Sequence, residues 1–188
     1  HEIRTPVGAL MGHCQVALYQ PRTVEEYETL LANNIEELER ISRMVENILF
    51  LARASDARSV LTITGIDVSS EITRIQEYFE GLAEEREMTL HGQGEGTLHA
   101  DAILFQRALS NLVANAVRYG REGSAIVLRA EPHVKGMNIR VISQGEPVPP
   151  EKLGKLFDRF YRADASRSEG GSSSGLGLSI VQAIMALH

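Results

Sequence analysis

The chain has 188 residues, a hydrophobic content of 43%, a single cysteine and a formal net charge of −6. This length can bury one large core or two small ones. The acidic balance argues against a surface that binds nucleic acid by neutralising its phosphates. A single cysteine rules out an internal disulfide and any metal site built from several cysteines. No apolar run is long enough to span a bilayer.

The first two predicted elements are helices. Residues 1–19 place apolar side chains at helical spacing, and Cys14 among them is expected to be a small core residue. The segment Gln20-Pro21-Arg22 breaks this helix. Thr23, with Glu26 three residues later, forms a capping box for the second helix, which extends to about Leu51 or beyond.

The second helix carries a heptad seam, in which positions recur at intervals of four and three residues. The seam consists of Tyr27, Leu31, Asn34, Leu38, Ile41, Val45, Ile48 and Ala52, with Asn34 as its one polar member. Arg40 and Arg43 are assigned to the outer face of the helix. Because a hairpin of two helices cannot bury a seam on both flanks, two copies are expected to form a dimeric antiparallel four-helix bundle.

A domain boundary is predicted in the small, polar stretch from Ala54 to Ser59, which divides residues 1–58 from residues 59–188. Strands are predicted at Leu61–Ile66, Met88–His91, Ala125–Ala130 and Met137–Ile142, and helices at Ser69–Arg86, Asp101–Tyr119 and Gly177–Leu187. Asp101 is expected to be a helix N-cap. The fold class is therefore α+β, with the helical hairpin followed by an α/β sandwich in which helices cover one side of a single antiparallel sheet.

The hexapeptide His1-Glu2-Ile3-Arg4-Thr5-Pro6 is the first candidate for chemistry. Neutral imidazole is a nucleophile near pH 7, so His1 can accept a phosphoryl group. Glu2 can hydrogen-bond the other ring nitrogen or accept its proton, and Thr5, one helical turn away, can orient a water molecule. Taken alone, the hexapeptide fits an ordinary surface histidine equally well.

A polar stripe on the Asp101–Tyr119 helix is the second candidate. Asn111, Asn115 and Arg118 fall on one face of this helix. Two amides and a guanidinium can hold a metal ion and phosphate oxygens, because Mg²⁺ prefers oxygen ligands. Asparagine is a poor helix former, so the stripe favours a functional role over a solvated helix face.

Two further segments are ambiguous by themselves. In Ser174-Gly175-Leu176-Gly177-Leu178-Ser179, glycines precede an apolar helix and can let a phosphate approach free N–H groups, although a flexible loop explains them equally. The aromatic side chains of Phe157–Arg162 can dock a neighbouring mobile loop, but on their own they are predicted to be core.

In this order, these blocks resemble the motif series of the sensor histidine kinases of two-component systems, over nearly the whole chain. Residues 1–6 resemble the phospho-acceptor box of the dimerisation and histidine-phosphotransfer domain. Asn111 to Tyr119 resembles the Asn-containing box of the ATP-binding domain, whose fold is shared with gyrase, Hsp90 and MutL. Gly145 matches the first glycine box, Phe157–Arg162 the Phe box, and Gly175 with Gly177 the second glycine box.

The resemblance implies ATP-dependent autophosphorylation of His1, with Glu2 as acid–base helper, and then transfer to an Asp in the receiver domain of a response regulator. Thr5 would assist dephosphorylation of that regulator. A phosphatase-dominant enzyme or a non-catalytic dimeric scaffold with weak ATP binding is the alternative. An ATPase clamp of the gyrase or Hsp90 kind would carry a carboxylate at the position of Asn111.

The resemblance also implies a homodimer that binds ATP and Mg²⁺. Asn115 would bind the metal, residues 163–174 would form the ATP lid, and the other predicted nucleotide contacts are Asn111, Arg118, Tyr119, Gly145, Gly175, Leu176, Gly177 and Leu178. Ser143 stands where the first glycine box usually carries an Asp that hydrogen-bonds adenine, so weaker adenine binding is expected.

The run Gly145–Pro150 and the Phe box that follows are most similar to heavy-metal (copper or silver) sensor kinases. The chain is accordingly expected to be the cytoplasmic portion of a bacterial inner-membrane sensor, with no direct contact to membrane or nucleic acid. Because the family continues through closing strands, the sheet is expected to be incomplete at His188.

Overall fold

A computed structural model gives the structure of the chain, and it describes residues 3–54, 61–134, 136–163 and 174–188. Four sets of predictions lie outside the described residues: those on His1, on Glu2, on the boundary hinge at residues 55–59 and on most of the lid, residues 164–173. None of the described helices is long and apolar enough to cross a membrane.

The chain begins with the predicted helical hairpin. Helix α1 spans Arg4–Tyr19 and helix α2 spans Val24–Ala54. The capping box is confirmed, because the Thr23 N–H donates to the Glu26 carboxylate at 2.9 Å and the Glu26 N–H donates to the Thr23 hydroxyl at 3.3 Å. These two bonds satisfy donors that the first turn of a helix leaves unpaired.

Most of the heptad seam is exposed in the single chain. Leu31 is 57% exposed and Leu38 is 56% exposed, whereas the buried residues of α2 are Asn34, Met44 and Leu51. The Asn34 amide donates to the Cys14 sulfur at 3.5 Å. Cys14 is exposed, so its predicted place in a core is wrong for the isolated hairpin. A single hairpin of two helices cannot bury apolar side chains on both of its sides.

The remaining elements follow the predicted order, with two additions. They are β1 Ile63–Asp67, α3 Val68–Glu84, β2 Thr89–Gln93, β3 Thr97–Asp101, α4 Ala102–Tyr119, β4 Ala125–His133, β5 Gly136–Ser143, α5 Pro150–Leu153 and α6 Gly177–Leu187. The sequence pattern did not predict β3 or α5, since each is short and largely polar. Both ends of every predicted helix and strand in this region lie within a few residues of the observed bounds.

The strands form two sheets among the described residues, and the prediction of a single antiparallel sheet is wrong in this respect. Strand β1 pairs antiparallel with β3, while β4 lies between β2, its parallel neighbour, and β5, its antiparallel neighbour. A parallel pair needs a long crossover, which β3 and α4 supply between β2 and β4. The alternation of hydrophobic residues along a strand does not show whether the adjacent strand is parallel or antiparallel, so the parallel pair could not be predicted from it.

The described residues form two hydrophobic cores. The first lies between the three-stranded sheet and helices α3 and α4, and its least exposed members are Val113, Ile126 and Leu128. The second core joins α2 to α4 and α6, and its buried members are Met44, Leu51, Ala108, Leu176, Ile180, Val181 and Ile184. The hairpin therefore packs against the α/β part through the C-terminal half of α2.

Candidate functional site

Helix α4 carries the predicted polar stripe and is fixed at both ends. At its start, the Asp101 carboxylate accepts hydrogen bonds from the N–H groups of Ile103 and Leu104, each at 3.1 Å, which confirms the predicted N-cap. At its end, the Arg86 guanidinium donates to the carbonyls of Val117, Arg118 and Gly120. A cation at the C-terminal end also complements the helix dipole.

The cap has an electrostatic consequence for Asp101. Backbone N–H groups, first that of Leu104 and then that of Thr62, hold the pKa of the Asp101 carboxyl below its ordinary value of 3.8. Such bonds favour the charged form because they stabilise the carboxylate and not the neutral acid. The start of α4 is therefore held by an ionised cap at neutral pH.

The amides of the stripe face the start of α6. The Asn111 Nδ2 group donates to the Arg107 carbonyl at 2.8 Å, which leaves Oδ1 directed towards Gly177. A Cβ atom added at Gly177 would lie 3.0 Å from the Asn111 Oδ1 atom and 3.8 Å from the Asn115 Nδ2 atom. Glycine at this position lets the first turn of α6 approach the two amides closely.

A cavity of about 280 Å³ lies where these groups meet. It is lined by Arg40, Arg43, Met44, Asn47, Asn111, Ala114, Asn115, Arg118, Ser174 and Gly177. Four of the predicted nucleotide contacts, Asn111, Asn115, Arg118 and Gly177, are thus brought together around one space. The described lining contains three guanidiniums and no carboxylate, so it suits an anion.

The other predicted contacts lie outside this cavity lining. Tyr119 is 53% exposed, Ser143 is exposed at the end of β5, and Leu176 is fully buried in the second core. Gly145 forms an isolated antiparallel bridge with Gly120. A Cβ atom added at Gly145 would lie 2.8 Å from the Tyr119 carbonyl oxygen. The first glycine segment is therefore joined to the end of α4 by a close backbone approach.

Gly175 contacts the aromatic segment and not the cavity. Its φ is +64°, and an added Cβ would lie 2.9 Å from the Phe160 Cα atom. The Phe160 N–H donates to the Gly175 carbonyl at 3.1 Å. Phe157 and Phe160 are both exposed, so their prediction as core residues is wrong. The aromatic segment instead flanks the chain that leads into α6.

Helix α2 also contributes to this region, which its sequence pattern did not predict. The Arg107 guanidinium of α4 donates to the Asn47 side-chain oxygen at 2.7 Å and lies 4.3 Å from the centroid of the Phe50 ring. Burial lowers the pKa of Arg107, while the Glu46 carboxylate acts in the opposite direction. The heptad pattern shows which face of α2 can meet another helix, but it does not indicate that the α/β part packs against the neighbouring residues Met44 and Leu51.

Comparison with known families agrees with the two-part architecture. Residues 1–57 match the family model of the His Kinase A (phospho-acceptor) domain. Residues 100–188 match the model of the histidine kinase-, DNA gyrase B- and HSP90-like ATPases. A phospho-acceptor hairpin followed by an ATPase domain of this type defines the protein-histidine kinases. Within that class, the chain belongs to the sensor histidine kinases.

One curated relative is the sensor protein CzcS of Cupriavidus metallidurans, which is 43% identical over 188 residues. That alignment covers all of this chain and 40% of CzcS, and the chain spans about 40% of the length of the first curated relatives it matches. These relatives confirm the predicted resemblance to the heavy-metal sensor kinases.

Two solved structures share the fold. The histidine kinase AdeS of Acinetobacter baumannii has a TM-score of 0.80 and 22% identity, with coverage of 100% of this chain and 86% of AdeS. The histidine kinase ThkA in complex with the response regulator protein TrrA has a TM-score of 0.68 and 23% identity, with coverage of 86% of this chain and 48% of that chain. The predicted fold class, a helical hairpin followed by an α/β ATPase domain, is confirmed.

Proposed function

We propose that this chain phosphorylates His1 with the γ-phosphoryl group of ATP and then transfers that group to an Asp of a response regulator. The observation that carries the proposal is the cavity in which Asn111, Asn115 and Arg118 of α4 meet Gly177 at the start of α6. It lies on the same chain as a hairpin that matches a phospho-acceptor domain.

The chemistry of the cavity fits a magnesium nucleotide. Asn111 and Asn115 offer amide oxygens, a ligand type that Mg²⁺ accepts, and the N-terminus of α6 offers backbone donors to phosphate. Among the described residues there is no group of three or more His, Cys, Asp or Glu side chains that could hold a metal ion. We therefore infer that the ion is held jointly by Asn115 and phosphate oxygens. When bound, it would neutralise charge on the phosphates.

The transfer itself requires a nucleophile and a path for one proton. A ring nitrogen of His1 would attack the γ-phosphorus, and the bond from that phosphorus to the β,γ-bridging oxygen would break, so that ADP departs with the electron pair. Glu2 would hydrogen-bond the opposite ring nitrogen or accept its proton. Ile3, the first described residue, packs against the second core, in which α2 meets α4 and α6. The phosphoryl group would then pass to the regulator carboxylate.

We also propose a homodimer and a response regulator as partners. The exposed seam on α2 is an apolar surface that a second hairpin can cover. ThkA is described in complex with a response regulator, which supports a regulator as the acceptor for this chain. Dephosphorylation of the regulator is a second activity on this proposal, since Thr5 is exposed in the first turn of α1. The expected cytoplasmic location stays a prediction.

A phosphotransfer experiment tests the proposal. The 188-residue chain is incubated with Mg²⁺ and ATP labelled at the γ-phosphate, and then with a purified receiver domain. We expect His1→Gln to abolish labelling of the chain and of the receiver while Mg²⁺–ATP binding persists, because only the nucleophile has been removed. His13→Gln is the matched control, since His13 is an exposed histidine of α1. Persistent labelling of His1→Gln would refute His1 as the acceptor.

A further inference from the structure

One wall of the cavity comes from the hairpin. Arg40, Arg43, Met44 and Asn47 of α2 face Asn111, Asn115 and Arg118 of α4 across the same space. This arrangement is held by the second core, in which Met44 is 2% exposed and Leu51 is 3% exposed, and by the Arg107–Asn47 hydrogen bond. These contacts follow the two arginines within a few residues along α2, so they hold this part of the helix beside the cavity.

The charge of the cavity is opposite to that of the chain. The chain carries a net charge of −6, whereas the described lining of the cavity holds three arginines and no acidic residue. Two of these three, Arg40 and Arg43, come from α2. Guanidinium groups match phosphate oxygens in charge and in donor geometry, and they can do so with two parallel hydrogen bonds.

The ion pairs of these two arginines leave donors available. The Arg40 Nη1 atom lies 2.9 Å from the Glu37 carboxylate, but its Nε atom is buried and has no hydrogen-bond partner among the described residues. The Arg43 guanidinium lies 3.6 Å from the Glu39 carboxylate, and both side chains are largely exposed. An exposed ion pair at this distance is weak, so Arg43 can exchange it for a phosphate at little cost.

We propose that Arg40 and Arg43 bind the polyphosphate of the nucleotide, so that the phospho-acceptor hairpin supplies part of the ATP site. The inference rests on the proposed function, because the ligand is the same nucleotide. Because both arginines would pair with phosphate oxygens, α2 would contribute nothing to the binding of the adenosine end. Affinity should therefore depend on Arg40 and Arg43 only for ligands with a long phosphate chain.

Calorimetry on the 188-residue chain tests this inference with two ligands in the presence of Mg²⁺, a non-hydrolysable ATP analogue and AMP. We expect Arg43→Gln to weaken binding of the ATP analogue about tenfold, since it removes a charge-assisted hydrogen bond. The double variant Arg40→Gln/Arg43→Gln removes two such bonds and should weaken binding further. The affinity for AMP should change by less than about twofold. Arg43 is an exposed side chain, so its single variant is not expected to impair folding.

Arg74→Gln is the matched control. This variant removes one positive charge and one ion pair within a helix, since the Arg74 guanidinium lies 2.8 Å from the Glu71 carboxylate on α3. Arg74 does not line the cavity. An unchanged affinity of the double variant for the ATP analogue would overturn the inference alone. An equal loss of affinity for AMP and for the ATP analogue would overturn it as well, since that result indicates an indirect structural effect. Failure of the unaltered chain to bind either nucleotide would overturn both the proposed function and the inference.

Discussion

At the residue scale, Gly177 sets the distance between the first turn of α6 and the amides of α4. The Asn111 side chain cannot move freely out of the way, since its Nδ2 group is bonded to the Arg107 carbonyl at 2.8 Å. Any side chain at Gly177 must therefore displace an amide that points into the cavity. Glycine at this position therefore leaves the Asn111 oxygen in place beside the first turn of α6.

We expect Gly177→Ala to weaken Mg²⁺–ATP binding by roughly three- to tenfold, because the new Cβ would force the Asn111 oxygen aside. The free energy of unfolding should change by less than about 1 kcal/mol, because alanine is the better helix former. Isothermal calorimetry and urea denaturation measure the two quantities.

Gly81→Ala is the control for this substitution. Gly81 lies within α3, and an added Cβ there meets no atom within 4 Å. This variant should gain about 0.5–1 kcal/mol of stability and bind nucleotide like the unaltered chain. If Gly177→Ala bound ATP as tightly as Gly81→Ala, the close approach of α6 would have no role in binding.

At the element scale, α4 is the helix on which the proposed site depends. Its polar face supplies Asn111, Asn115 and Arg118, and its opposite face packs Leu109 and Val113 into the first core. Asp101 satisfies two of its N-terminal N–H donors. A loss of order at either end would move all three polar side chains together, so the caps belong to the site as well as to the fold.

Asp101→Ala should lower the free energy of unfolding at pH 7 by about 0.5–2 kcal/mol, the usual cost of an N-cap. The pKa of Asp101 is lowered on folding, so its contribution is present above the ordinary pKa of 3.8 and is lost as the pH falls through the lower value in the folded chain. Urea denaturation between pH 7 and pH 2, roughly the range over which carboxylates titrate, should give a flatter profile for Asp101→Ala.

Glu122→Ala is the control for the cap, because Glu122 is exposed in the turn after α4 and caps no helix. It should leave both the stability at pH 7 and the acid profile close to those of the unaltered chain. A parallel loss of stability with pH in Asp101→Ala and the unaltered chain would contradict the assignment of this acid-sensitive component to Asp101.

At the scale of the whole molecule, α2 has two apolar surfaces with different partners. Met44 and Leu51 pack into the second core, against α4 and α6. The seam residues nearer the hairpin loop, such as Leu31 and Leu38, are exposed in the single chain. An exposed apolar surface of this kind on a helical hairpin is typical of a bundle interface.

We expect the 188-residue chain to sediment as a dimer and Leu31→Glu/Leu38→Glu to sediment as a monomer, because the bundle would bury the new carboxylates without partners. Analytical ultracentrifugation measures the mass. Val134→Glu adds a carboxylate at a residue that is 98% exposed between β4 and β5, and it should remain dimeric. A double variant that stayed dimeric would place the interface elsewhere.

Several features of the fold follow from local sequence alone. The helices have a 3.6-residue period, the caps have fixed spacings, and the strands have alternating side chains, so each could be read within a short window. The capping box at Thr23 and the N-cap at Asp101 were predicted for this reason and are confirmed. The polar face of α4 was predicted in the same way, since Asn111, Asn115 and Arg118 share one side of a helix by periodicity.

The sequence by itself therefore determined all the helices and strands except β3 and α5, the polar face of α4 and, through the order of its motifs, the family. Only the tertiary structure decided the parallel pairing of β2 with β4, the exposure of Phe157 and Phe160, and the presence of Arg40 and Arg43 at the cavity. Each of these depends on which surfaces meet across a long stretch of chain. Periodicity identifies the face of an element that can be buried, but the partner of that face is chosen by packing in three dimensions.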